Sequence, residues 1–372
     1  MGPRATLART KVGRSPLEIL RARELGCYVP RARLPGPAQM ESFERHFRIN
    51  GHGGDVFCVL FDRTGNFLIT GSDDGLIKVW SVRGTLRYTF RGHGNKIADL
   101  SVSPCNRFLA SGDLNSCVRV WCLQKGTSLA YFRHHSQIVT SVNFLPFAAD
   151  GDPLRYLVTT SSDCSIIFYQ YTDGEDPKFP QQPTYRWHER DVPNAKMLTI
   201  CYSPGGHIVA AGESHGALRI YRVGQEGVSK MADIVAHSDK VDSLESSHTG
   251  IALASAGSKD GLVKIWRYEY GEWTPTVLSL TTEELYEIAG NDGGTLKSKK
   301  VYTVTMLRFT IDDGHLLSLG SDCALRVWNA KTGAPIRKMR AHADTPFHLL
   351  IHPVHASIVV TAGNDGCIFV SR

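Results

Sequence analysis

The run GSDDGLIKVW at 71–80 returns almost intact as GSKDGLVKIW at 257–266. Weaker copies stand at 112–121 (GDLNSCVRVW), 161–170 (SSDCSIIFYQ), 213–222 (ESHGALRIYR), 320–329 (GSDCALRVWN) and 363–372 (GNDGCIFVSR). A chain that repeats one turn-and-strand unit along most of its length is constrained to stack like modules. Each module then buries its apolar faces on the next.

The spacing inside the unit is as regular as its recurrence. Gly51-His52 precedes Trp80, and Gly92-His93 precedes Trp121, by 28 residues counted from the His. His237 and His342 precede Trp266 and Ser371 by 29, and His135 leads to Tyr169 over 34. Tyr221 and Trp328 end two units with no clear upstream His. Six residues before each end sits a turn residue: Asp74, Asn115, Asp163, His215, Asp260, Asp322 or Asp365. The segments LIKVW, CVRVW, LVKIW and LRVW are β-branched and aromatic, bounded by Gly, Asp and Ser, and read as strands. This is the signature of an all-β WD40 β-propeller, and seven blades are countable.

The pattern also predicts a buried polar lock in each blade. An Asp in a tight turn accepts from the upstream His, and a Ser such as Ser72 or Ser258 links onward to the indole N–H of Trp. The expected members are His52, Ser72, Asp74 and Trp80; His93 and Trp121; His135 and Asp163; His237, Ser258, Asp260 and Trp266; Asp322 and Trp328; and His342 and Asp365. The cations two residues before the closing position (Lys78, Arg119, Arg219, Lys264, Arg326) fall one per blade. They read as stems packed on the sheet with heads in water or beside a carboxylate, rather than as a nucleic-acid stripe.

Charge divides the chain. Residues 1–50 hold ten Lys/Arg and four Glu, which is the whole net charge of +6, so 51–372 is neutral with 32 of each sign. Direct nucleic-acid binding is therefore expected only through the basic leader. Residues 1–42 read as that leader, with a short N-terminal helix started by Ser15-Pro16 and stopped at Gly26, and 43–372 as the propeller. Residues 43–49 read as a strand entering the first repeat; either it completes the last blade and closes the ring at seven, or the chain is cut short. Two polar inserts, 172–196 and 279–300, interrupt the period and are expected on a rim or face. Nine scattered cysteines with no CxxC pair fit reduced thiols. No apolar run reaches 18 residues, so no membrane partner is expected.

No HExxH, GxSxG or GxxxxGK[ST] is present, and no second cluster at ligand spacing accompanies His134-His135. The expectation is a non-enzymatic interaction scaffold with no cofactor, metal or small-molecule substrate. A general cytoplasmic assembly or trafficking platform is the alternative.

Residues 51–80 (GHGGDVFCVLFDRTGNFLITGSDDGLIKVW), 91–103 (RGHGNKIADLSVS), 259–273 (KDGLVKIWRYEYGEW) and 325–333 (LRVWNAKTG) resemble the N-terminal WD40 region of the bromodomain and WD-repeat family. The resemblance runs over about 40–372, in a short form without the family's eighth repeat or its bromodomains. It implies a nuclear, chromatin-associated protein that influences transcription. It also implies a substrate receptor whose partners are a cullin–RING ubiquitin-ligase adaptor and chromatin or transcription factors. Receptors of that kind carry Trp-Asp-x-Arg after a closing Trp. Trp80-Ser81-Val82-Arg83 keeps the Trp and Arg but lacks the Asp, which makes Arg83 a candidate adaptor contact.

Overall fold

The computed structural model describes residues 45–81, 83–146, 155–173, 177–188, 195–224, 227–258, 260–269, 272–278, 303–340, 342–351, 359–363 and 367–371. These form antiparallel β-structure throughout, with no helix among the described residues. The expected helix at 16–25 and the insert 279–300 lie outside the described residues.

Strand β1 is Arg45–Asn50. Six blades then follow, each a four-stranded sheet of consecutive strands. Blade 1 is β2–β5 (Val56–Phe61, Phe67–Ser72, Ile77–Ser81, Leu86–Phe90), and blade 2 is β6–β9 (Ile97–Val102, Phe108–Asp113, Val118–Cys122, Ser128–Phe132). Blade 3 is β10–β13 (Val139–Phe144, Arg155–Ser161, Ser165–Tyr171, Tyr185–His188), and blade 4 is β14–β17 (Met197–Tyr202, Ile208–Glu213, Ala217–Gly224, Gly227–Val235). Blade 5 is β18–β21 (Val241–Ser246, Ala252–Gly257, Val263–Glu269, Glu272–Leu278), and blade 6 is β22–β25 (Val304–Phe309, His315–Gly320, Ala324–Asn329, Pro335–Arg340).

A further four-stranded sheet is assembled from the two ends of the chain: β26–β28 (Pro346–Ile351, Val359–Gly363, Cys367–Ser371) with β1 as its outermost strand. Strand β1 pairs antiparallel with β28, Ile49 opposite Ile368 and Asn50 opposite Cys367. The edge of β28 is thereby covered by main chain from the other end of the domain.

Apolar clusters sit between neighbouring sheets. Ile69, Ile77 and Phe90 of blade 1 pack with Ile97, Leu109 and Trp121 of blade 2. Leu317, Leu325 and Val327 of blade 6 pack with Leu349 and Val359 of the composite sheet. Ile49, Val360 and Ala362 of that sheet pack with Val56, Leu68 and Trp80 of blade 1, which closes the ring. Both faces of each sheet are covered, so the second strands are buried along nearly their whole length. They use small or β-branched residues on both faces, as in FLASGD (108–113), IVAAGE (208–213) and ALASAG (252–257). The first strand of every blade lies nearest the axis, and the fourth strands form the rim.

Polar staples fix neighbouring blades. Arg63 of blade 1 donates from Nη2 to the Val102 carbonyl at 3.0 Å and from its backbone N–H to Asn106 Oδ1 at 2.9 Å in blade 2. Asp313 of blade 6 accepts from the backbone N–H groups of His248 and Thr249 in blade 5, each at 2.8 Å. The insert expected at 172–196 does not simply project. Its Phe179 stacks on Tyr171 with centroids 5.0 Å apart, and 185–188 returns as the outer strand of blade 3.

Candidate functional site: blade locks, channel and rim

The polar lock forms in full in three blades. In blade 1, Trp80 Nε1–H donates to Thr70 Oγ1 at 2.9 Å. His52 Nε2 lies 2.7 Å from the same oxygen, and His52 Nδ1 lies 3.0 Å from Asp74 Oδ2. A carboxylate only accepts, so His52 carries its proton on Nδ1 and the Thr70 hydroxyl donates to Nε2. Blade 2 repeats the chain with Trp121, Ser111, His93 and Asp113 at 2.8, 2.6 and 2.8 Å. Blade 5 repeats it with Trp266, Ser255, His237 and Asp260 at 2.8, 2.7 and 2.8 Å.

Three expected positions are corrected by these distances. The linking hydroxyl in blade 1 is Thr70 and not Ser72, whose Oγ instead accepts the Asp74 backbone N–H at 3.4 Å. In blade 5 it is Ser255 and not Ser258, which is buried near the turn. In blade 2 the acid is Asp113, at the end of β7, and not the turn residue Asn115. The signal for the right hydroxyl was present: Thr70, Ser111, Thr159 and Ser318 each stand ten residues before the closing aromatic, and Ser255 eleven.

The other blades vary the theme. In blade 3, His135 Nδ1 lies 3.0 Å from Ser165 Oγ and 3.4 Å from Asp163 Oδ2, and Ser165 donates to Asp163 at 2.5 Å, so the contact runs both directly and through a serine. Four N–H and O–H groups converge on Asp163, and its carboxyl lies far below the usual range despite burial. Tyr169 replaces Trp and stacks on Phe132 at 4.5 Å, with its hydroxyl 3.2 Å from His134 Nδ1. Blade 4 has no lock histidine. Arg219 makes a paired contact to Glu213 (2.9 and 3.3 Å) and a further one to Asp233 at 2.7 Å. His215 lies at the exposed turn. In blade 6, Trp328 donates to Ser318 at 2.8 Å while Asp322 holds the buried Arg326 at 2.6 Å. In the composite sheet His342 Nε2 lies 2.9 Å from Thr361 Oγ1, and Asp365 lies outside the described residues.

The cations flanking the closing positions are absorbed locally. Lys78 and Lys264 donate to the Gly51 and Ala236 carbonyls at 2.5 Å, and Arg119 lies over the rings of Trp121 and Tyr131. Arg219 and Arg326 are paired with carboxylates, as above. Arg83, the candidate adaptor contact, is an exposed residue in the β4–β5 turn.

The central channel holds a polar set that the sequence pattern gave no reason to group. Asp99 on β6 accepts from Ser141 Oγ–H at 2.7 Å and from the Val142 N–H at 2.9 Å on β10, and burial raises its carboxyl above the usual range. Across the ring, Arg308 on β22 donates to Glu245 on β18 at 2.7 Å. Burial raises Glu245 as well, against the pull of Arg308. His348 on β26 is pushed down to about 3, first by burial and then by Arg308. Asp99, Glu245 and Arg308 hold inner strands together, and none of the set is a nucleophile beside a base.

Among the described residues, one trio has ligand-type atoms within 4.8 Å of one another: His93, Asp113 and Cys117. Its first two members are the blade 2 lock. Burial and the Asp113 carboxylate push the Cys117 thiol up to about 11, so it is protonated at neutral pH and serves as a packed small residue. Seven cysteines among the described residues are free thiols. No helix among the described residues is long and apolar enough to cross a membrane.

The WD domain, G-beta repeat model matches residues 43–81, 84–122 and 229–267. These segments contain all three of the complete locks described above. The chain is a WD40 β-propeller. It is 23% identical over 386 residues to a bromodomain and WD repeat-containing protein of Dictyostelium discoideum, covering 88% of this chain and 17% of that protein. It is 28% identical over 174 residues to the THO complex subunit 6 homolog of Mus musculus, covering 45% of this chain and 47% of that one. It is 26% identical over 154 residues to apoptotic protease-activating factor 1 of Mus musculus, covering 41% and 10%. The matched regions thus span less than half the length of each of these relatives.

Proposed function

We propose that this propeller is a non-enzymatic scaffold of the nucleus that holds chromatin or transcription factors and presents them to a cullin–RING ubiquitin-ligase adaptor. The observation that carries the scaffold reading is the consumption of its buried polar chemistry by structure. The lock histidines, serines and acids bond to one another, and the channel carboxylates bond to neighbouring inner strands. The exposed aromatic and basic groups lie on the rim, where macromolecules meet a propeller. The composite sheet acts as a seventh blade that closes the platform. The alignment with the Dictyostelium protein across 88% of this chain supports the chromatin setting. Arg83 supplies the adaptor contact from its exposed turn.

Affinity purification of the tagged chain, with and without Arg83→Ala, tests this reading. Adaptor and cullin are expected with the parent and lost from a variant of unchanged melting temperature, while chromatin or transcription factors persist in both. Equal adaptor recovery from both removes the role of Arg83. Recovery of coat or cytoskeletal proteins instead replaces the nuclear reading with the cytoplasmic one.

A further inference from the structure

The rim clefts between blades are not alike. Between blades 2 and 3, Phe179 covers Tyr171 and Phe108, with centroids 5.0 and 5.5 Å away. Between blades 3 and 4, Tyr185 and Trp187 stack at 5.8 Å, and Trp187 leans on Tyr221 at the same distance. Between blades 4 and 5, Trp273 packs with Ile208 and Ala232 and leaves a cavity of about 30 Å³. In each of these clefts an aromatic from the chain fills the gap.

The cleft between blades 1 and 2 is built differently. Phe90 and Trp121 form its floor, with centroids 5.6 Å apart. Tyr88 alternates with Phe90 along β5, so the two share the sheet face turned to blade 2, while a bulge sets Leu86 opposite Trp80 on the other face. On β9, Tyr131 pairs with Arg119, and Arg119 lies 4.7 Å from the Tyr131 ring and 5.7 Å from the Trp121 ring. Tyr131 therefore shares the face of Trp121, which is turned to blade 1. The two tyrosines look across one cleft, yet Tyr88 is 57% and Tyr131 49% exposed. Apolar groups raised over an aromatic floor at the free edge of a sheet mark a contact surface.

Charge specifies what lies there. Residues 82–91 and 123–134, the outer strands and their turns, contain Arg83, Arg87, Arg91, Lys125 and Arg133 and no Asp or Glu. No ion pair among the described residues involves any of these five, whereas the outer strand of blade 4 pairs Lys230 with Asp233. Strand β5 is the last of its sheet, so its outward backbone groups are available to an extended chain. Main-chain pairing of that kind favours a peptide over a nucleic acid.

We propose that the cleft between blades 1 and 2 is a docking site for an extended acidic peptide that inserts an aromatic side chain between Tyr88 and Tyr131 and sets its carboxylates against Arg133 and the basic outer strands around it. This deepens the scaffold reading by naming a partner class and a face, and it rests on that reading. The test uses a fluorescein-labelled, capped peptide of alternating Glu and Phe, with Lys/Phe and Glu/Ser peptides and oligouridine of equal length as comparators. Saturable anisotropy change is expected with the Glu/Phe peptide alone, and about tenfold or greater weakening in Tyr88→Ser, Tyr131→Ser and Arg133→Glu. Tyr268→Ser, an exposed aromatic on blade 5, leaves binding unchanged. Absence of binding, tighter binding of oligouridine or the Glu/Ser peptide, or indifference to the tyrosine substitutions in variants of parental melting temperature overturns the proposal. Cellular partners still recovered by Tyr88→Ser/Tyr131→Ser would locate the failure in this cleft. Loss of every partner from the parent itself would locate it in the scaffold reading.

Discussion

Replacing Thr70 by valine isolates the lock of blade 1, because the side chains are nearly isosteric and both favour a strand. The Thr70 hydroxyl accepts from Trp80 Nε1–H and donates to His52 Nε2. A valine in its place would leave a buried indole donor and a buried imidazole acceptor with nothing in reach. Each stranded group costs about 1–3 kcal/mol, so the substitution is expected to cost about 3 kcal/mol. The matched control is Ser72→Ala, which removes one long contact to the Asp74 N–H at 3.4 Å and is expected to cost under about 1 kcal/mol. For a domain of this size about 3 kcal/mol corresponds to roughly 4–5 °C in melting temperature, readable by calorimetry or by the fluorescence of Trp80 and its fellows. A lock that runs through the hydroxyl ten residues upstream of Trp demands that Thr70→Val shift the melt several times further than Ser72→Ala. Equal shifts, or a larger one for Ser72→Ala, would show that the chain of contacts does not carry the energy assigned to it.

Three further outcomes follow from other sites. Burial holds His52, His237 and His348 below the usual histidine range, so the unfolded chain takes up protons first and stability falls as pH drops below about 6.5. His248, raised by Asp313 and Glu245, works in the opposite direction, and His348→Gln should flatten the decline by about 1.4 kcal/mol at pH 5.5 in denaturant titrations. Glu213→Ala should cost about 3 kcal/mol, because Arg219 then keeps only the half-exposed Asp233, while Asp233→Ala costs much less; comparing the two melts checks it. Gly216→Ala should cost about 2 kcal/mol or more, since φ is +86° there and an added Cβ would run into the His237 carbonyl, with chemical denaturation as the readout.

Much of this architecture was legible in the sequence because it repeats. A period set by four strands and their turns recurs in one chain, so each copy corroborates the others, and the closing Trp, upstream His and turn Asp sit where the period places them. The choice among hydroxyls was legible only in the spacing to the closing aromatic and not in strand alternation. Thr70 and Ser72 lie on the same face of β3, and side-chain alternation cannot separate them. Register does: Trp80 stands opposite Leu68, which puts Thr70 one diagonal step away and Ser72 four residues, about 13 Å, along the strand. The same reason explains Asp113 in place of Asn115, since an acid at a strand end and one in the following turn can both reach a histidine from the preceding loop.

What the sequence determined alone is the module: its strands, its turns, its buried Trp and His, and the neutrality of the repeats beside a basic leader. Those properties are local, fixed by propensity and by patterns within about 40 residues. Only the tertiary structure decided how distant modules meet. It joined β1 to β28 across the whole chain, brought Asp99, Glu245, Arg308 and His348 around one axis, and left Tyr88 and Tyr131 facing each other over an open cleft. Such contacts depend on the angle and closure of the ring. No residue encodes that angle by itself; it emerges from every interblade core packing at once.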